Sequence, residues 1–398
     1  MKKITEKQRR CDVRRIIYER NGHPSSNKMR NVSEREQQCN ASVWQDVNEW
    51  VSKEIGDGLK VTNDMRGKKL KYNGLVIHLP ETMNFSNNQD ETVQCLTAIR
   101  KLVSVFEVYK SRKIPHKAYK LRSVNFDSLA SISTSAALVL TAEVSKWNIS
   151  IKKKLKPQVE KWHEDIYIQF EQLGFFDLFN NKPEKSVISQ KSSPDVDFVR
   201  YVRGQCGNSD EAKDKKKELK AEISKLVGAK VDKWTILHSG LTEAVTNVTH
   251  HAYPGSKSCE EKSWYLTGSF NKSTNEMKIA FYDQGVGIPN SLPASEIWEK
   301  VLTYFTKLNI PSVEHKKHAR LLEAAVSIDR TSTMQTDRGK GLQDLLEFIR
   351  ERKAGYLSIL SYHGLYKCWI DKGKEQSKTI SMERPLNGTL IVWNVKLS

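Results

Sequence analysis

This chain has no run of about 20 apolar residues, the length needed to cross a bilayer as a helix. It has no C-x-x-C pair: Cys11, Cys39, Cys95, Cys206, Cys259 and Cys368 are scattered over 398 residues. That spacing argues against a zinc site. The start, MKKITEKQRR, carries the positive charge of a signal peptide but no apolar segment behind it. A secreted disulfide framework is therefore not expected. The expectation is a cytoplasmic protein with reduced thiols and no membrane partner. Acidic residues are in the minority, 47 Asp and Glu against 65 Lys and Arg, for a formal net charge of +18. A nucleic-acid partner usually shows as a clustered basic footprint. Here cations occur in every region, including KKK at 152–154 and 215–217. Solvated surface charge is the preferred reading and nucleic acid the alternative.

A hydrophobic content of 38% is enough for two or three cores in a chain of this length. Residues 1–66 read as a basic helical extension, with helices near 11–20 and 41–55. In the second, Trp44, Val47 and Val51 form one stripe. Gly22, Pro24, Ser25 and Ser26 interrupt the segment.

Residues 67–180 read as an α/β domain. LVIHLP (75–80) and LRSVNFDSL (121–129) are strands, and 89–109 is a helix. Ser133 to Lys146, STSAALVLTAEVSK, opens a helix with hydroxyl residues in capping position. IQFEQLGFFDLF (168–179) combines an amphipathic helix with an aromatic cluster. The polar stretch 181–194 is a linker.

The remainder, 195–398, begins with DFVRYV and a charged helix at 210–227. WYLTGSF (264–270) and MKIAFYD (277–283) alternate as a hairpin pair, and 356–362, 368–371 and 389–396 supply later strands. The fold class expected is α+β.

The chain's organising stretch is WTILHSGLTEAVTNVTHHAY, 234–253. Its apolar residues recur at helical spacing, and Glu243 and Asn247, four apart, share a face. A carboxylate and a carboxamide in an apolar helix need partners if buried. Three glycine signals follow: Asp283-Gln-Gly285-Val-Gly287-Ile288, then Asp337-Arg-Gly339-Lys340-Gly341-Leu342 ahead of a helix, then Asn387-Gly388-Thr389.

Each glycine pair alone is common in turns. The ordered set E-x-x-x-N, D-x-G-x-G-I, G-x-G-L, G-T resembles the GHKL ATP-binding superfamily: gyrase B subunits, heat-shock chaperone ATPases, mismatch-repair MutL proteins, histidine kinases and anti-sigma-factor serine kinases. The resemblance covers roughly the last half of the chain. It implies an α/β sandwich of the Bergerat type, with helices on one face of a mixed sheet, and it implies ATP and Mg²⁺.

By that resemblance Asp283 accepts from the adenine amine, and Gly285 and Gly287 let the backbone approach the base. Thr389 helps hold adenine through a water, and Asn247 binds the metal through its oxygen. Glu243 is the general base. Gly339, Lys340, Gly341 and Leu342 meet the phosphates at a helix start, where backbone N–H groups are free. Residues 289–337 form a lid. Histidine kinases often carry asparagine where Glu243 stands, so the hydrolysing and serine-kinase branches are indicated. His250 and His251 read as groups at a helix C-terminus.

The middle domain resembles the sulfate-transporter and anti-sigma-factor-antagonist (STAS) domain, with Asp127 ending a strand and Thr134-Ser135 opening a helix. The family's glycine after the serine is absent, which favours capping over phosphorylation for Ser133, Thr134 and Ser135.

The functional expectation is a Mg-ATP-binding switch that hydrolyses ATP or phosphorylates Ser or Thr on a regulatory partner protein. A second copy of the chain is a further partner. The alternatives are an ATP-gated interaction module without turnover, and a basic nucleic-acid-binding protein.

Overall fold

The computed structural model describes residues 45–63, 73–108, 118–186, 194–206, 209–228, 231–254, 262–295, 297–332 and 342–397. The chain divides between Pro194 and Asp195 into two compact units. Helices and mixed sheets are combined in an α+β arrangement. No helix among the described residues is long and apolar enough to cross a membrane.

In the first unit α1 (45–56) buries Val47 and Val51. Trp44 and the helix expected at 11–20 lie outside the described residues. Strands β1 (Val61–Asn63), β2 (Asn73–His78) and β4 (Tyr119–Asn125) form a sheet in the order β1-β2-β4. β2 and β4 are parallel, which requires a crossover, and α2 (Gln89–Val108) supplies it. β3 (Thr82–Met83) pairs with β5 (Ser131–Ile132).

The expected boundary at residue 66 falls inside this unit. β1 pairs antiparallel with β2, and Gln94 Nε2 donates to Glu54 Oε2 at 2.9 Å, fastening α1 to α2.

α3 (Thr134–Ser145) is buried along nearly its whole length, and its one carboxylate, Glu143, accepts from Arg100 Nε at 2.7 Å. Ser133 is its cap: its Oγ accepts from the Ala136 N–H at 3.2 Å, while Thr134 and Ser135 are buried. α4 (Ile149–Lys154) and α5 (Glu164–Leu173) follow. The aromatic cluster closes this unit, with Phe126 stacked on Trp162 at 4.2 Å and Phe170, Phe175 and Phe176 around them.

The second unit contains β6 (Val196–Phe198), β7 (Val202–Gln205), α6 (Ser209–Val227), α7 (Trp234–Asn247), β8 (Ser263–Asn271) and β9 (Glu276–Asp283). After these come α8 (Ile288–Ser291), α9 (Trp298–Lys307), α10 (His318–Ser332), α11 (Leu342–Arg352), β10 (Gly355–Asp371) and β11 (Lys374–Lys396). The sheet runs β10-β11-β9-β8-β6, with β7 also on β8.

Every pairing in this sheet is antiparallel, so the parallel pairing expected here lies in the first unit instead. Connection length sets two of these pairings: β8–β9 and β10–β11 are hairpins, and short turns join only antiparallel neighbours. Lys372 (φ 49°) and Gly373 (φ 74°) form the second turn, the left-handed pair a two-residue loop needs. The strands expected at 356–362 and 368–371 run as one, with a bulge between Ser361 and Gly364 where Tyr362 has φ 54°.

Alternation sends Leu357 and Ile359, Ile279 and Phe281, and Ile391 and Trp393 to the sheet face that meets Leu237 and Leu241 of α7, Leu322 of α10 and Leu345 of α11. Trp393 Nε1 also donates to the Leu345 carbonyl at 2.8 Å.

Candidate functional site

The apolar face of the second sheet ends in a polar row. Asp283 stands opposite Trp264 on β8 and Thr389 on β11, and Thr389 stands opposite Ser361 on β10. Directly opposed residues share a face. By alternation Asp283 follows Phe281 and Ile279, Thr389 precedes Ile391, and Ser361 follows Ile359. Polar side chains therefore occupy core positions at the sheet's end: Asp283 is 3% exposed, Thr389 5% and Ser361 0%.

Their hydrogen bonds offset the cost of burial. Asp283 Oδ1 accepts from the Gly285 N–H at 2.7 Å, turning the chain sharply after β9. Ser361 Oγ accepts from the Ile288 N–H at 2.8 Å and lies 3.1 Å from Thr389 Oγ1.

α7 brings the second set of groups. Leu237, Leu241 and Ala244 are buried on the core side. Glu243 and Asn247 are half-buried one turn apart, and Asn247 Nδ2 donates to Glu243 Oε1 at 3.1 Å. The helix then widens into a π turn, Val248–Ala252, a local irregularity frequent at functional sites. Its last carbonyl, on Ala252, accepts from the Val286 N–H at 2.8 Å, so this turn grips the glycine loop.

That grip explains Gly285. A Cβ there would overlap the Ala252 carbonyl oxygen and lie 2.7 Å from Asp283 Oδ1. Gly287 has φ 83°, and a Cβ on it would lie 2.9 Å from Ser361 Oγ.

Between these groups is a cavity of about 630 Å³. Glu243, Asn247, Asp283 and Thr389 line it together with Ile288, Leu292, Ala325 and Ile391. Its size and mixed lining suit a small organic ligand. Leu342, buried at the start of α11, lines it too. Gly339, Lys340 and Gly341 lie outside the described residues. His250 and His251 sit exposed at its rim, in the last turn after α7.

Much of the expected lid is built into the core: α9 contributes Val301 and Phe305, and α10 contributes Leu322 and Ala325. Residues 333–337, the end of that segment, are outside the described residues.

Two residues of the site carry no motif. Ser361 is the third inward position of L-S-I-L-S, and its polarity at an apolar beat was the available signal. Tyr253 Oη donates to the Ser263 carbonyl at 2.9 Å and accepts from the Gln284 N–H at 3.1 Å. Burial, and then the Asp283 carboxylate, push its pKa well above the ordinary phenol value, so it stays protonated and can keep donating.

Among the described residues no group of three or more His, Cys, Asp or Glu side chains converges as a metal site. A magnesium ion with phosphate oxygens and waters needs only one or two protein oxygens. With Asn247 Nδ2 turned to Glu243, the amide oxygen of Asn247 is the atom suited to that task.

Comparison of the chain with protein-family models, with curated proteins and with solved structures finds no match.

Proposed function

We propose that the second unit is a GHKL-type nucleotide site: it binds Mg-ATP and uses it to hydrolyse the terminal phosphate or transfer it to Ser or Thr of a partner protein. The observation that carries this reading is the convergence of Asp283 and Thr389, neighbours in a buried polar row, with Glu243 and Asn247 around one cavity. When bound, Mg-ATP would supply an electrophilic phosphorus and a metal that neutralises phosphate charge.

The chain's own residues then have separate tasks. Asp283, held by the Gly285 N–H, is the carboxylate that accepts from an exocyclic amine. Thr389 and Ser361 fix the polarity beside it. Ile288, Leu292 and Ile391 form apolar walls suited to a flat heterocycle. Asn247 offers its amide oxygen to the metal. Glu243 takes the proton of water or of a hydroxyl, and its bond from Asn247 orients the carboxylate.

The direct test is purified full-length protein with labelled ATP and Mg²⁺, read at once for bound nucleotide, free phosphate and phosphoprotein. Bound nucleotide with neither product would replace the enzyme by an ATP-gated interaction module. No binding at millimolar ATP would remove the reading altogether.

A further inference from the structure

β10 and β11 run on past the body of their sheet. β9 leaves β11 at the Thr389–Asp283 pair, where the chain turns away through Gly285. Farther out, β10 and β11 form an arm by pairing with each other, from Gly364 opposite Ser381 to Asp371 opposite Lys374. On the side that β9 takes farther along β11, the Lys374–Ser381 edge has no strand and no backbone hydrogen bond among the described residues. Lys374 to Lys378, Ile380 and Ser381 are exposed. Every second residue of this edge directs its N–H and C=O outward, away from β10.

The arm is held in strand form from within the unit. Its core-facing row includes Tyr366 and Cys368, both buried, opposite Thr379 and Ser377. Glu375, in the same row, accepts from the Arg350 fork of α11, Nε to Oε2 at 2.8 Å and Nη2 to Oε1 at 3.0 Å. Just past the arm, the Met382 carbonyl lies 2.8 Å from His363 Nδ1. An edge already ordered costs less to dock on than a loop that must first be fixed.

The other face of the arm selects what fits beside it. Lys374, Gln376, Lys378 and Ile380 alternate along that face. Asp371 stands opposite Lys374, and Leu365 stands opposite Ile380. Lys378 stands opposite Lys367, a like-charge pair, and Lys367 Nζ lies over the Tyr356 ring at 4.4 Å. Neither Lys374 nor Lys378 is in an ion pair among the described residues. Lysines on an edge strand turn most other strands away, and like charges directly opposed destabilise a pairing. A second copy of the arm would add its own lysines to this row. A strand with carboxylates on alternate residues is complementary to it.

We propose that the Lys374–Ser381 edge binds an extended acidic segment of a partner protein as an added strand. Main-chain hydrogen bonds supply the affinity, and alternate side chains supply the choice of partner. Carboxylates lie beside Lys374 and Lys378, and an apolar residue lies beside Ile380. This surface stands whether or not the second unit binds nucleotide.

The test is fluorescence polarisation of the full chain with a labelled peptide of alternating glutamate and valine, as long as the edge. Saturable binding is expected, and Lys374→Glu/Lys378→Glu should weaken it by about tenfold or more. The same variant should bind an alternating lysine-valine peptide more tightly than the parent does. Lys213→Glu/Lys217→Glu, an equal charge change on α6, should leave binding of the first peptide unchanged. All four lysines are exposed, and circular dichroism melting checks that each variant folds.

Backbone methylation of the peptide separates strand pairing from charge. An added strand bonds its neighbour through alternate residues. Methylating either the glutamate amides or the valine amides should therefore abolish binding, and methylating the other set should preserve it. Equal binding by both methylated peptides would overturn strand addition. No binding by the parent at millimolar peptide would overturn the proposal as well, leaving Lys374 and Lys378 as guards of the edge. Sedimentation of the parent as a dimer that the peptide dissociates would also overturn it, in favour of a second copy on this edge.

Discussion

Thr389 lies directly across the β11–β9 ladder from Asp283, and both are buried. One strand thus carries a hydroxyl to within a side chain's reach of a carboxylate presented by its neighbour. Around this pair the site is ordered, with Ser361 on the far side of Thr389.

Asp283→Asn should abolish nucleotide binding while keeping the fold, because asparagine retains an oxygen for the Gly285 N–H. A ligand at a hundred times its dissociation constant stabilises the native state by about 2.7 kcal/mol. For a unit of this size that is a melting shift of roughly 5–11 °C. Thermal denaturation with and without Mg-ATP should show the rise in the parent and none in the variant. An equal rise in both removes Asp283 from the site.

Glu243→Ala and Asn247→Ala should separate chemistry from binding. Loss of a general base lowers turnover by about 10²–10⁴-fold. ATP affinity should stay within a few-fold, since Glu243 has no task at the base. Asn247→Ala should weaken Mg-ATP binding and turnover together, with a smaller effect on ATP measured without metal. Parental turnover in Glu243→Ala would end its catalytic assignment.

Gly285→Ala should destabilise the second unit, by about 1–3 kcal/mol, because overpacking against backbone forces local movement. The added methyl overlaps the Ala252 carbonyl, whose bond from Val286 holds the π turn to the loop. Urea unfolding measures the loss. Gly373→Ala is the control: nothing lies within 4 Å of a Cβ there, so its cost is confined to the φ of 74°. A smaller loss at Gly285 than at Gly373 would contradict the packing argument.

Stability should fall on the acid side partly through His318. Burial, and then the neighbouring His363, lower its pKa from 6.5 to about 4. Its Nδ1 is buried without a hydrogen-bond partner, and its ring lies 4.9 Å from that of Tyr362. Below pH 6.5 the unfolded chain takes up a proton that the folded chain takes only near pH 4. The contribution is therefore present above 6.5 and is lost as pH falls through 4. His318→Phe keeps the ring contact and removes the titration, so its unfolding free energy should decline less steeply over that window. An unchanged slope would show that His318 does not carry it.

Local chemistry fixed a good part of this in advance. A period of two in IAFYD and TLIVWNV put Asp283 and Thr389 on an apolar face. A period near 3.6 in the α7 segment put Glu243 and Asn247 together. Ser133 capped α3 because hydroxyls at helix starts satisfy free N–H groups, whatever lies beyond. All of these depend on residues within a few positions of each other.

The placement of Ser361 beside Thr389, of Ala252 against Gly285, and of β1 in the first unit depended on strand register and helix docking. Those are set by contacts between distant segments, and period alone does not encode them.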